Sequence, residues 1–493
     1  MSRPTRTDDA SAGLTAANSG MNRRRFLTGT AALAAGGMLM GRPLPAAAQE
    51  APAKGAAAGA ASSYKLDLGG YAGPELTSQP ITLKFMRQEF PPHVNAVLEE
   101  AYKEFSAAYP NITIQEEKVP YGDLQKKMQI YVGSGAAPDV MMGRTDFIEA
   151  YHAGNIALPL QDYFLDEFLH DILDNQFKAA SAKGNFYGAP WETYFTMMYF
   201  NRDIFKKAGV PTPPEVTDVN AGWTAEEFIA ALEELTQKLR AQGDSTTWAL
   251  SAATHGNGGP GANYTQVESL WVRSQGDPNA DKGSSAYKTF LGVSEDGLQA
   301  TGYLDTPEAV KGMSNYQQLF TKKLAPPTAV PNQFVSGVGA IHFTGLNQAS
   351  RLFQQKPAFE WGASPFPRGR IAFNCNSSDC PIVWSKTPYP AEAAALVAYL
   401  CNDANRIRFY KTWGSMPVRK SLIAAIPEFG NQQLFQLSAA AAASGQGAPR
   451  SVGWFDYFNA INPVVRDIAL GGDPESQLKQ AATRIDGLLR KYR

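Results

Sequence analysis

Ile81-Thr82-Leu83-Lys84-Phe85-Met86 places Ile81, Leu83 and Phe85 on one face of an extended chain, and Ile112 and Ile114 alternate in the same way further on. Period-two alternation predicts strands. Between them Val94, Val97, Leu98, Ala101, Phe105 and Ala108 recur at helical spacing, and Pro110 closes the helix. A strand–helix–strand unit this short implies parallel strands with a right-handed crossover. Pro138-Asp139-Val140-Met141-Met142 reads as a third strand, followed by a helix from about Asp146 to Ala153. Strands alternating with helices predict an α/β fold.

Outward from this unit the pattern persists. Thr224 and Glu227 form a capping box that opens a helix, with Phe228, Leu232, Leu235 and Leu239 on one face and Gly243 at its end. A long helix is expected from about Ala391 to Lys411, and an amphipathic one from Pro474 to Tyr492. Residues 252–302, rich in Gly, Ser and Asn, predict loops around one helix.

The amino end reads as an address. Asn22-Arg23-Arg24-Arg25-Phe26-Leu27-Thr28 precedes a weakly apolar run from Gly29 to Met40, then Pro43, Pro45 and Ala46-Ala47-Ala48. Charged region, short apolar run and small-residue cleavage site occur in the order of a secretory signal. The apolar run is far shorter than the roughly 20 residues that span a bilayer. Paired arginines before x-Phe-Leu resemble a twin-arginine export signal, which implies the export machinery as a partner. Residues 1–48 are therefore expected to be a polar leader plus signal, cleaved after about Ala48, and 49–77 an Ala/Gly-rich linker.

The full chain has 493 residues, with 45 Lys+Arg against 46 Asp+Glu. Loss of residues 1–48 removes six arginines and two aspartates, leaving a mature net charge of −5. This balance lacks the basic excess of a nucleic-acid binder. Three cysteines and five scattered histidines offer neither a disulfide scaffold nor a recognisable metal motif. Cys375 and Cys380 fit either a disulfide or, less readily, half a metal site. There is no G-x-S-x-G elbow. Gly256 to Gly261 matches a dinucleotide fingerprint in letters but lacks the apolar second strand such a site needs.

Three stretches carry a resemblance. The first is Gly184-Asn185-Phe186-Tyr187-Gly188-Ala189-Pro190-Trp191-Glu192-Thr193, running into Met198-Tyr199-Phe200-Asn201-Arg202-Asp203-Ile204-Phe205. The second is Gly337-Val338-Gly339-Ala340-Ile341-His342-Phe343-Thr344-Gly345, and the third Trp413-Gly414-Ser415-Met416-Pro417-Val418-Arg419. Each is similar to a hallmark of the family 1 extracellular solute-binding proteins of ABC importers, the sugar-binding group, and the likeness runs from about residue 80 to the end. It implies a two-lobe periplasmic-binding-protein fold of type II, with discontinuous lobes joined by a multi-crossing hinge. Lobe one is placed at 78–190 and 345–402, lobe two at 191–344 and 403–493. Binding proteins of this kind work by hinge closure of the lobes over a ligand.

A sugar offers hydroxyls on its edges and apolar patches on its faces, so its binder needs aromatic platforms and convergent polar groups. In α/β sheets these lie beyond the carboxyl ends of strands. By that rule Arg87, Gln88 and Glu89 are candidates after the first strand, and Asp146 after the third. Where the resemblance expects an aromatic near Asp146, this chain has Gly143, and Arg144 is its neighbour. Trp191 and Tyr194 stand at the expected crossing between lobes, and Trp191 is the leading stacking platform. Trp413 and Gly414 precede the Met-Pro-Val-Arg turn. Asn347 sits at a further expected crossing, and His255 lies in the glycine-rich loop. Trp271, Trp248, Trp384 and Trp361 read as core.

The resemblance implies a periplasmic monomer without enzymatic activity or cofactor. It would capture a small molecule, by family habit a carbohydrate or oligosaccharide, and deliver it to ABC permease subunits, with no nucleic acid involved. A polyol phosphate or charged osmolyte is the alternative ligand, kept open by Arg87 and Arg144. A secreted glycoside hydrolase or a cofactor oxidoreductase is the alternative class.

Overall fold

The computed structural model describes residues 66–493, apart from 252–266, 329, 331, 348, 350, 351 and 353–355. The signal, most of the linker, the glycine motif and His255 lie outside the described residues. The strands used below are β1 (Ile81–Gln88), β2 (Ile112–Val119), β3 (Val140–Arg144), β4 (Met197–Asn201), β5 (Trp248–Leu250), β6 (Gly339–Thr344), β7 (Trp361–Pro365), β8 (Asn374–Cys375), β9 (Asp379–Val383) and β10 (Gly445–Gln446). The helices are α1 (Pro92–Ala108), α2 (Ala225–Ala241), α3 (Pro307–Thr321), α4 (Pro390–Leu400), α5 (Asp403–Trp413), α6 (Gln433–Ala443), α7 (Trp454–Ala469) and α8 (Pro474–Leu489).

The opening unit folds as its periodicity requires. β1 and β2 pair in parallel from Ile81↔Ile112 to Gln88↔Val119, and α1 buries Val94, Leu98, Ala101, Tyr102 and Phe105. β3 joins β1 in parallel, and β9 adds antiparallel to β3 with Asp379 opposite Arg144. The first sheet is ordered β9-β3-β1-β2 and the second β5-β6-β4-β7. Each forms the centre of one lobe of a two-lobe, periplasmic-binding-protein fold.

In the second lobe, Thr224 caps α2 through the reciprocal bonds of the expected box, and Phe228, Leu232, Leu235 and Leu239 are buried. Trp271 is buried at the centre of this lobe, with ring centroids 6.2 Å from Phe228 and 5.6 Å from Phe366. The Gly/Ser/Asn-rich stretch contains a π-helical turn at Glu268–Val272 and a short helix at Ser285–Leu291 among its described residues.

Two expectations change. The single helix foreseen over 391–411 is two, α4 and α5. Asn402 adopts an extended conformation, and its side chain accepts from the Asn405 N–H at 2.9 Å, starting a new helix. The lobe boundaries also move. β7 hydrogen-bonds to β4 from Met197↔Pro365 to Asn201↔Trp361, so residues just after 345 remain with the second sheet. α5 instead packs on α1 of the first lobe, with Phe409 5.6 Å from Phe90 and Trp413 5.6 Å from the same ring. A short apolar strand carries no mark of which sheet edge it will fill, and the choice is made by tertiary packing.

Three segments meet between the lobes. Ala189 N–H donates to Pro381 O at 3.2 Å, Trp191 N–H to Asp379 O at 3.2 Å and Tyr194 N–H to Ser377 O at 2.9 Å. Thr193 N–H donates to Met416 O at 3.2 Å, tying in the third segment. Asn374 completes the join, its carboxamide bonding both the N–H (2.8 Å) and the C=O (2.9 Å) of Thr196.

Candidate ligand-binding site

The carboxyl ends of β1 and β3 and the amino end of β9 fall together where the chain crosses between lobes. They bring Gln88, Arg144 and Asp379 into one buried group, and Asp146 follows in the turn after β3. Arg144 Nη2 lies 2.5 Å from Asp146 Oδ2 and 2.8 Å from Ser377 Oγ, which also donates to Asp146 Oδ2 at 3.0 Å. Gln88 Nε2 donates to Asp379 Oδ2 at 2.5 Å. From the crossing segment, the Tyr194 hydroxyl reaches Glu192 Oε1 at 2.8 Å and Asp379 Oδ2 at 3.0 Å.

The electrostatics follow from burial. Loss of water and the neighbouring Glu192 carboxylate push the Asp379 carboxyl up to about 7, against the pull of Arg144. Burial likewise raises Glu192, opposed by Ser415, Tyr194 and Arg406. Burial works against the Arg144 charge, but Asp146, Tyr121, Asp379 and Cys375 together outweigh it and push its pKa up.

Four polar atoms of this group are buried with no hydrogen-bond partner: Gln88 Oε1, Arg144 Nε, Asp146 Oδ1 and Asp379 Oδ1. An unmet buried polar atom costs about 1–3 kcal/mol. Four of them gather at this one strand edge. Beside Asp146 a pocket of about 310 Å³ lies between the lobes, lined by Asn175 and Lys178 on one side and Arg273, Tyr287 and Gln446 on the other. Arg450 closes its rim from the second lobe, donating from Nε to Glu149 Oε1 at 2.8 Å. Tyr121 is 37% exposed, with the Arg144 guanidinium 5.9 Å from its ring centroid. Phe147 of the first lobe meets Phe455 of α7 with centroids 4.6 Å apart.

The structure distributes the ten candidates unevenly. Gln88, Asp146 and Tyr194 enter the polar group. Arg87 does not: it is fully buried on the opposite side of β1, bonded to Glu116 (2.5 Å), Tyr102 (3.2 Å) and Asn95 (2.8 Å). Consecutive strand residues point to opposite faces, so Arg87 and Gln88 cannot both face the cleft. Glu89 is exposed just past the strand. Trp191 is buried under Arg406, whose guanidinium carbon is 4.6 Å from the indole centroid, and beside Phe409 at 5.5 Å. It is part of the hinge core rather than a platform. Trp413 is half-buried against Phe90. Gly414 has φ +81° and caps α5, a backbone role that favours glycine. Asn347 stands just past β6 within the second lobe, because the chain does not cross there. His255 is outside the described residues. Cys375 and Cys380 are both buried and form no disulfide.

Sequence reasoning missed Asp379 and undervalued Glu192 and Arg144. The polar run Asn376-Ser377-Ser378-Asp379 ahead of an apolar strand is the signal that could have found the first.

Two lobes joined by three crossing segments, with unmet polar atoms where they join, have the architecture of a solute-binding protein. The chain belongs to the bacterial extracellular solute-binding protein family, whose pattern matches residues 91–407. A binding protein of Brucella abortus is 25% identical over 413 residues, covering 82% of this chain and 92% of that one. Among solved structures, the GacH receptor of Streptomyces glaucescens, determined unliganded and with acarbose, superposes with TM-score 0.64 at 18% identity, over 83% of this chain and 97% of that one. A solute-binding protein of an ABC transporter from Thermotoga lettingae, bound with α-D-tagatose, gives TM-score 0.66 at 17% identity, over 83% and 99%. At these identities the structural likeness speaks for the fold.

Proposed function

We propose that this protein captures a neutral carbohydrate by closing its lobes and delivers it to the membrane subunits of an ABC importer. The observation that carries the reading is the set of four unmet polar atoms at the strand edge. Three are oxygens and one is a guanidinium N–H, a set that suits hydroxyl groups, which both donate and accept. The charges argue against an anionic ligand. Arg144 is committed to Asp146, and Arg87 is turned away and paired with Glu116. That disfavours a polyol phosphate. Acarbose and α-D-tagatose on fold relatives support the sugar class. The signal at the amino end supports twin-arginine export and a periplasmic location. Among the described residues no helix is long and apolar enough to cross a membrane.

The test is a thermal-shift screen of residues 49–493 against neutral mono- and oligosaccharides, polyol phosphates and amines. Binding to the native state alone stabilises it by about 2.7 kcal/mol at a ligand concentration one hundred times Kd. A saturable rise with a neutral sugar that is recovered unchanged after long incubation is the expected result. A rise confined to phosphates or amines overturns the sugar assignment, and turnover of the sugar would move the protein to the hydrolases.

A further inference from the structure

The Tyr194 hydroxyl lies 2.8 Å from Glu192 Oε1 and 3.0 Å from Asp379 Oδ2. A phenol carries one proton and can donate it to one of these oxygens. If both carboxyls were ionised, the other contact would set a hydroxyl oxygen against a carboxylate with no hydrogen between them. Gln88 offers no relief, since its amide already donates to the same Asp379 oxygen. The geometry therefore needs a further proton on one of the acids, which would then donate to the tyrosine oxygen.

The surrounding charges ask for the same number. Glu192 and Asp379 are both buried, at 1% and 0% exposure, so excess charge is expensive there. Facing them are Arg144 and Asp146 at the end of β3, Arg406 on α5, and the neutral groups Tyr121, Cys380 and Ser415. Arg144 and Asp146 offset one another. Arg406 then balances one further negative charge and not two.

We infer that Glu192 and Asp379 hold a single proton between them at neutral pH, bridged by Tyr194, so that the floor of the cleft is electrically neutral when the lobes are closed. The two acids lie on the two antiparallel segments of the hinge, so the proton joins the chain crossings to each other. Loss of it leaves two buried carboxylates sharing one tyrosine, which favours opening. A neutral floor also explains selection of uncharged hydroxylated ligands; this consequence rests on the carbohydrate reading, whereas the proton does not.

The sign of the pH effect follows from linkage. Unfolded carboxyls titrate at about 4, and burial beside Glu192 pushes Asp379 in the fold up to about 7. Between those values the native state holds one more proton than the unfolded chain, so stability falls as pH rises. The experiment uses ligand-free protein. Denaturant unfolding is followed from about pH 5 to about pH 7 for the wild type, Asp379→Asn and Glu192→Gln, and the infrared spectrum of each is taken at neutral pH. The expected wild-type folding constant falls about tenfold per pH unit more steeply than that of either variant. A protonated-carboxyl absorption is expected in the wild type and not in the variants, whose remaining acid is ionised by Arg406 and Arg144. Equal slopes in all three proteins overturn the inference. The wild-type spectrum decides independently of whether a variant folds: absence of the carboxyl absorption at neutral pH overturns it too. Because no sugar is present, failure here leaves the carbohydrate screen standing, and failure of that screen leaves the proton standing.

Discussion

In the first lobe, the strand ends at the hinge carry Gln88, Arg144 and Asp379, all buried, and Asp146 follows directly. In the second lobe, β4, β5, β6 and β7 together contain no Asp, Glu, Lys or Arg, and aromatic contacts fill the space beneath them. Phe343, for instance, lies 5.3 Å from Phe228 and 4.6 Å from Phe366. Both lobes are sheets covered by helices, yet charged and amide groups gather at the hinge edge of the first, while the strands of the second carry no carboxylate, lysine or arginine. Burial of apolar surface stabilises wherever it occurs, whereas a buried charge is kept only where geometry supplies a partner.

The largest expected effect tests the first side of that contrast. Arg144→Ala leaves Asp146 buried without its partner, which should cost about 3–5 kcal/mol of stability and abolish sugar-dependent stabilisation. Denaturant unfolding with and without the sugar measures both. A loss below about 1 kcal/mol with ligand response intact would mean that the strand edge is not the recognising surface.

A middle-sized effect probes the packed side. Gly312 lies in α3, where alanine would ordinarily stabilise a helix by up to about 1 kcal/mol. Here an added Cβ would sit 2.2 Å from the carbonyl oxygen of Trp271, a backbone atom that cannot swing aside. Gly312→Ala should therefore destabilise by about 1–3 kcal/mol with sugar affinity unchanged. A stabilised variant would show that this lobe is looser than its contacts imply.

The smallest effect concerns the contact that spans both regions. Arg450 reaches Glu149 from the second lobe, but the two side chains retain 42% and 16% exposure. Arg450→Ala should cost about 0.2–1 kcal/mol, a loss that shrinks further in high salt. A larger, salt-independent loss would mean that the rim, rather than the hinge, holds the lobes together.

Much of the fold was legible because hydrophobic periodicity is local. The β1-α1-β2 unit, β3, the capped α2 and the terminal α8 all follow from side-chain spacing within single segments. The break at Asn402 was legible in principle, since an asparagine competes with helical backbone for hydrogen bonds. Its signal was outweighed by the apolar run from Ala393 to Cys401. Among the candidates that join the polar group, Gln88 and Asp146 came from the strand-end rule and Tyr194 from the expected crossing between lobes. Arg87 was taken with its neighbour although alternation places the two on opposite faces. Trp191 was chosen for its chemistry, but an indole serves a hinge core as well as a sugar, and sequence does not distinguish them.

What the sequence by itself determined is the alternation of strands and helices, the family resemblance and the ends of strands where polar groups gather. These depend on the order of side chains along one stretch of chain. The tertiary structure alone decided that β7 joins β4, that Asp379 stands opposite Arg144, and that Glu192 and Asp379 meet at one tyrosine. Tyr194 and the Asp379 that its hydroxyl reaches are 185 positions apart. Their proximity is set by packing and strand register across the whole molecule, and so are the burial and the proton that follow from it.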